Sequence, residues 1–155
     1  MTLLIVDMQP YFDAANHKAT ISNIVEEIEK AKKQRIGIVI LEFSGYGPTH
    51  AKIKKALVRY SRVAVYQKCD DDGSVEARRA AKKRGFDPDH WRVCGVNTDC
   101  CVAATVTGLL SKGCKVDVVC RACNSDAGKA YSWDAFKYDI KYVRPRKFQR
   151  QLKYA

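Results

Sequence analysis

The chain has 155 residues, 46% of them hydrophobic, with 28 Lys and Arg against 17 Asp and Glu for a formal net charge of +11. That length suits a single domain with one core, and apolar runs such as "LLIV" and "IGIVIL" fall far short of the roughly 20 residues that cross a bilayer. The opening "MTLLIVD" lacks the basic start, apolar run and small-residue cleavage site of a signal peptide, so a cytoplasmic protein with no membrane partner is expected.

Seven cysteines are an odd number in a chain too large to depend on staples, and reduced thiols are the natural expectation. Cys120 and Cys123 have CxxC spacing, but His17, His50 and His90 do not complete a zinc site around them, so no metal and no cofactor are expected. The excess of cations favours anionic partners. Its densest stretches are "RRAAKKR" at 78–84 and the end from 141 to 155; read as more than a solubilising surface, they imply weak, salt-sensitive nucleic-acid binding without sequence preference.

In chain order, branched apolar runs mark strands at 3–6, 36–41, 63–66, 91–96, 115–120 and 140–143. Between the first two, Ile21, Ile24, Val25 and Ile28 follow the i, i+3, i+4, i+7 rule of a core-facing helix, with Thr20 placed to cap it. Further helices are expected at 49–60, 75–84, 99–112 and about 127–137, with Gly85 and Gly113 where C-terminal caps would end two of them. Short strands alternating with longer helices predict a three-layer α/β/α sandwich, Rossmann-like, around a mostly parallel sheet of about six strands. One domain is expected over 1–155, with a basic tail from about residue 144.

Ligands of such sheets bind at the carboxyl ends of the strands. Asp7, Lys68 and Cys101 fall there after strands one, three and four. Each alone is explained as well by a turn, a solvated lysine or a buried thiol; the constellation is what points to chemistry. Cys101 is expected in the first turn of its helix, with Thr98 or Asp99 as cap, where the helix dipole and a lysine favour a thiolate. Cys100 points about 100° away around a regular helix, so one of the two cysteines should simply pack.

The segments "LLIVDMQPYF", "VYQK" and "VCGVNTDCCVAATVTGLLSKGCKVDVV" resemble the isochorismatase-like cysteine hydrolases, a family that includes nicotinamidases and N-carbamoylsarcosine amidohydrolases. The resemblance runs in order from residue 3 to about 143. It implies a catalytic triad of Asp7, Lys68 and Cys101, with Cys100 at a variable position. It also implies a cis peptide between Val96 and Asn97, an oxyanion hole from the amides of Asn97 and Cys101, and substrate contacts from Gln9 and Phe12. Family members often assemble as homo-oligomers.

Two departures stand beside the match. Where nicotinamidases carry an Asp-x-His metal motif after strand two, this chain has "LEFSGYGPTH", in which only Glu42 and His50 could bind a metal; the loop is also short. Arg121 and Cys123 stand in "VVCRAC", where relatives often have an acidic residue and alanine. The resemblance therefore implies a metal-independent hydrolase of a C–N bond in a small amide or carbamoyl substrate. The alternatives are a catalytically retired fold that binds nucleic acid or an acidic partner through its basic surface, and a redox-sensing thiol protein.

Overall fold

Strand β1 (Thr2–Val6) is buried along its whole length, as a central strand covered on both faces requires. It pairs in parallel with β2 (Ile38–Phe43) on one side and with β4 (His90–Val96) on the other. β3 (Val63–Lys68) lies beyond β2, and β5 (Lys115–Asn124) and β6 (Lys141–Val143) lie beyond β4. The result is a fully parallel six-stranded sheet in the order β3-β2-β1-β4-β5-β6. The structure, a computed structural model, describes residues 1–126 and the backbone of 141–143. The helix expected at about 127–137 and the basic tail from about 144 lie outside the described residues.

Helices α1 (Lys18–Lys33) and α2 (Ala51–Leu57) touch each other on one face of the sheet. On the other face, α3 (Ser74–Arg84) meets α4 (Ala103–Ser111). The three expected layers are thus present. Gly85 closes α3 in the left-handed conformation, at φ +66°, which glycine adopts without penalty. Among the described residues no helix is long and apolar enough to cross a membrane. No disulfide joins any of the seven cysteines, the CxxC pair in β5 included.

The start of α1 differs from the expectation. Its N-cap is His17, and Thr20 sits buried inside the first turn, its hydroxyl 3.4 Å from the His17 ring. The inward face of α1 also carries a charge: Glu27, 1% exposed, lies among Ile24, Ile28 and Ala31. Arg92 of β4, Lys30 and Arg121 of β5 approach it at 2.6, 2.9 and 2.9 Å. Burial disfavours the Glu27 carboxylate, but hydrogen bonds from Arg92 and Lys30 outweigh it and hold the pKa below the ordinary value. Arg121 has a local acidic partner, and that accounts for a cation at this position.

Chain order reverses at the β1–β4 boundary, because the chain runs outward from β1 to β3 and then returns to β4. There Val6 lies opposite Gly95. A Cβ on Gly95, whose φ is +128°, would stand 2.1 Å from the Val6 carbonyl oxygen. Only glycine allows the two backbones to come so close. The register of β4 on β5 shifts at the same point, between Val93 and Gly95.

Candidate active site

Asp7 follows β1 with φ +49°, a left-handed conformation that Asp tolerates better than most residues. Its N–H donates to the Leu41 carbonyl at 3.0 Å, and its own carbonyl accepts from Gln9 N at 2.8 Å. Two strands away Lys68 ends β3, with its Nζ 2.9 Å from Asp7 Oδ2. Both side chains are closed to solvent. The contact is an ion pair lacking the alignment of a good hydrogen bond. Lys68 Nζ also donates to the Asp70 carbonyl at 2.8 Å and lies 4.2 Å from the centroid of the Phe43 ring.

Cys101 comes to this pair from the β4 side. The turn Thr98–Val102 is wider than an α-helical one: the Asn97 carbonyl accepts from Cys100 N at 3.2 Å and from Val102 N at 3.0 Å. Neither Thr98 nor Asp99 acts as a side-chain cap. Thr98 Oγ1 donates to the Asn124 carbonyl at 3.0 Å, and Asp99 accepts from Ser125 Oγ at 2.8 Å. The Val96–Asn97 peptide is cis. The Asn97 side chain exchanges two hydrogen bonds with Asp126, Nδ2 donating to Oδ2 at 3.1 Å and Oδ1 accepting from the backbone N at 2.8 Å.

Cys101 is buried at 6% exposure and Cys100 is exposed. The expectation that one cysteine packs and the other meets the cleft therefore needs correction. Cys101 lies beside Asp7, but Cys100 is not a packing residue. The wide turn accounts for this, since the 100° step of a regular helix does not apply.

Charge distribution at the thiol is also different from the expectation. Burial, then the neighbouring Asp7 carboxylate, push the Cys101 pKa far above the ordinary thiol range, and the charge of Lys68 opposes this only in part. Burial likewise raises the Asp7 carboxyl, against the pull of Lys68. The resting arrangement is a neutral thiol beside a carboxylate whose proton affinity is enhanced, rather than a standing thiolate.

The sequence reading missed the loop after β3. Asp71 Oδ1 lies 3.4 Å from Cys101 Sγ. Thr105, one turn beyond Cys101, fixes this loop by donating to the Asp71 carbonyl at 3.2 Å and accepting from Gly73 N at 3.0 Å. A Cβ on Gly73 would come within 2.8 Å of Lys68 Cδ, so the glycine leaves room for the lysine stem. The run "CDDDG" directly after Lys68 was the available signal.

Gln9, expected to touch substrate, is fully buried and already engaged. Its Nε2 donates to the carbonyls of Phe43 at 2.9 Å and Gly47 at 2.6 Å, and its Oε1 accepts from Phe43 N at 2.7 Å. It is a positioning residue that ties the loop after β1 to the short loop after β2. The latter presents Tyr46, whose ring centroid lies 5.3 Å from that of Phe12 and 5.4 Å from that of Phe43. Tyr11 stacks on Tyr46 at 4.4 Å. Phe12 thus stands in an aromatic group that runs from exposed Tyr11 inward to Phe43, the ring under Lys68.

The family model of the isochorismatase domain matches residues 1–142. The chain belongs to the isochorismatase family. Similar solved structures include a nicotinamidase from Staphylococcus aureus, with 20% identity, TM-score 0.76 and coverage of 92% of this chain and 98% of that one. An isochorismatase family protein from Desulfovibrio vulgaris shares 18% identity over 98% and 97% of the two chains, with TM-score 0.74. MAR1 ribonuclease from Caenorhabditis elegans shares 21% identity over 88% of this chain and 70% of that one, with TM-score 0.71. No curated protein matches the chain.

Among the described residues, the two candidate ligands for a nicotinamidase-type metal in this isochorismatase-family chain, Glu42 and His50, are already engaged. Glu42 Oε1 accepts from both Thr49 N and Thr49 Oγ1 at 2.7 Å, and its Oε2 accepts from Gln67 Nε2 at 2.8 Å. His50 Nδ1 accepts from Lys52 N at 3.2 Å, capping α2. Both residues serve the short loop and the helix after it.

Proposed function

We propose that the chain is a cysteine hydrolase that cleaves the C–N bond of a small amide or carbamoyl compound through a thioester on Cys101, without a metal. The observation that carries this reading is the buried Asp7–Lys68 ion pair set against the Cys101 thiol. Asp7 takes the thiol proton as sulfur attacks the carbonyl carbon, and Lys68 keeps the carboxylate in place. The amides of Asn97 and Cys101 donate to the oxyanion that forms. Asp7 then returns the proton to nitrogen as the C–N bond breaks and the amine leaves. Water, deprotonated by Asp7, hydrolyses the thioester, which releases the acid and restores the thiol. The aromatic group of Tyr11, Phe12, Phe43 and Tyr46 suits a flat substrate body.

The test is a screen of small amides and ureido acids for ammonia release, with Cys101→Ala as control. Turnover abolished by that change is expected; turnover that survives it would overturn the covalent mechanism.

Helix α3 favours a second, additional use of the surface. Val75, Arg78, Arg79 and Lys82 recur at i, i+3, i+4 and i+7 and, with Lys112, line a concavity of about 280 Å³. Phosphodiester backbones suit such a cationic hollow.

A further inference from the structure

Two thiols and a carboxylate meet at the mouth of the site, and the hydrolytic reading needs only one of them. Cys100, Cys101 and Asp71 each offer a ligand atom, and these three atoms all lie within 4.8 Å of one another. We propose that they form a binding site for a soft divalent cation of the zinc or cadmium type, and that an ion held there silences the nucleophile.

The geometry is close to what such an ion requires. Zinc bonds of about 2.3 Å to sulfur and about 2.1 Å to oxygen, at a tetrahedral angle, set the two ligand atoms about 3.6 Å apart. Cys101 Sγ and Asp71 Oδ1 stand at 3.4 Å. The wide turn at Thr98–Val102 brings the Cys100 sulfur to the same place, and thiolates are the ligands that select zinc-like ions over magnesium or calcium.

The ligands are also held in place. Thr105 clamps the Asp71–Gly73 loop from the helix that follows Cys101, and Lys68 grips the Asp70 carbonyl from the other side. Cys100 and Asp71 are exposed, which gives an ion a way in and leaves a fourth position to water. Binding replaces two S–H bonds with two metal–sulfur bonds and releases two protons to solvent. The Cys101 lone pair that would attack a carbonyl is then bound to the metal. The silencing rests on the hydrolase reading; the binding does not.

The full-length reduced protein is titrated with Cd²⁺, and thiolate-to-metal charge-transfer absorption is followed, with Zn²⁺ as competitor. One equivalent should saturate the signal. Cys100→Ala should weaken binding by more than the roughly 10–100-fold that losing a mere supporting partner costs, and Asp71→Asn by about that range. Cys69→Ala, which removes the other exposed thiol, should change nothing. Unchanged binding in Cys100→Ala, or a signal that disappears with Cys69, would overturn the site. With a substrate in hand, Zn²⁺ should inhibit the native protein, and Cys100→Ala should turn over with its zinc sensitivity lost. Zinc that binds at these residues without inhibiting overturns the silencing alone. If no amide is turned over, the absorption titration still decides whether the site exists.

Discussion

Lys68 Nζ stands 2.9 Å from Asp7 Oδ2, and each of these charged residues is only 1% exposed. Removing one partner of such a pair strands the other, at a cost of about 3–5 kcal/mol. Lys68→Met should therefore abolish turnover and destabilise the fold at neutral pH. The sign of the pH dependence follows from Asp7. Its folded pKa is already raised, and losing the lysine raises it further, so stability present with the carboxyl protonated is lost as pH climbs through that pKa. Thermal unfolding at several pH values should show the gap between Lys68→Met and the native protein shrink towards acid. A gap independent of pH would show that Asp7 is not the group left unpaired.

Alkylation separates a resting thiol from a resting thiolate. Lysine and a helix terminus led the sequence reading to expect a fast-reacting Cys101, but burial and Asp7 raise its pKa. Iodoacetamide at neutral pH should label exposed Cys69 and Cys100 before Cys101, as mass spectrometry of the modified protein can show. The same arrangement predicts that kcat/KM rises through the elevated pKa of Asp7 and is flat above it, because the proton moves to Asp7 during attack. A rate that climbs tenfold per pH unit into the alkaline range would indicate a preformed thiolate instead.

Gln9 holds three backbone groups of the Tyr46 loop. Its replacement by alanine removes three hydrogen bonds to partly buried groups, a loss of about 1–3 kcal/mol in denaturant unfolding. Because Tyr46 and Phe43 move with that loop, KM should rise more than kcat falls. An equal loss in kcat alone would place Gln9 at the reacting atoms.

Glu27 gives a purely structural pH effect. Its folded pKa is lowered, so the stabilisation is present above the unfolded value and lost as pH falls through the folded one. Glu27→Gln should cost about 2–4 kcal/mol at pH 7, and the difference should narrow in acid unfolding below about pH 4.3. Arg121→Ala should cost less, since Arg92 and Lys30 remain.

For the α3 surface, binding to single-stranded or duplex oligonucleotides should be weak, sequence-independent and steeply reduced by salt. Replacing Arg79 and Lys82 with alanine should lower the salt slope by about two. Tight binding that survives high salt and distinguishes sequences would point to base readout.

Branched runs and the periodicity of Ile21, Ile24 and Ile28 made the layers legible, because burial on both faces of a parallel sheet leaves a continuous apolar record. The residues at the strand ends were legible as well: Asp7, Lys68 and Cys101 do meet. What the chain did not disclose depends on local backbone geometry. The wide turn that exposes Cys100, the engagement of Gln9 with a loop 34 residues away and the approach of Asp71 to the thiol leave no periodic trace. Nor could a propensity argument choose His17 over Thr20 as the cap of α1, since both stand within one turn of its start.

The reversal of strand order between β1 and β4 divides the proposed catalytic centre between two stretches of chain. Asp7 and Lys68 come from the wing β1-β2-β3, and Cys101 from the wing that begins at β4. Neither wing contains a complete set of reacting groups. The proposed centre is a seam, closed by the contact of Val6 with Gly95, and slippage along it would separate Asp7 from Cys101 before either wing had melted. Loss of turnover on warming should then precede loss of helix and strand signal.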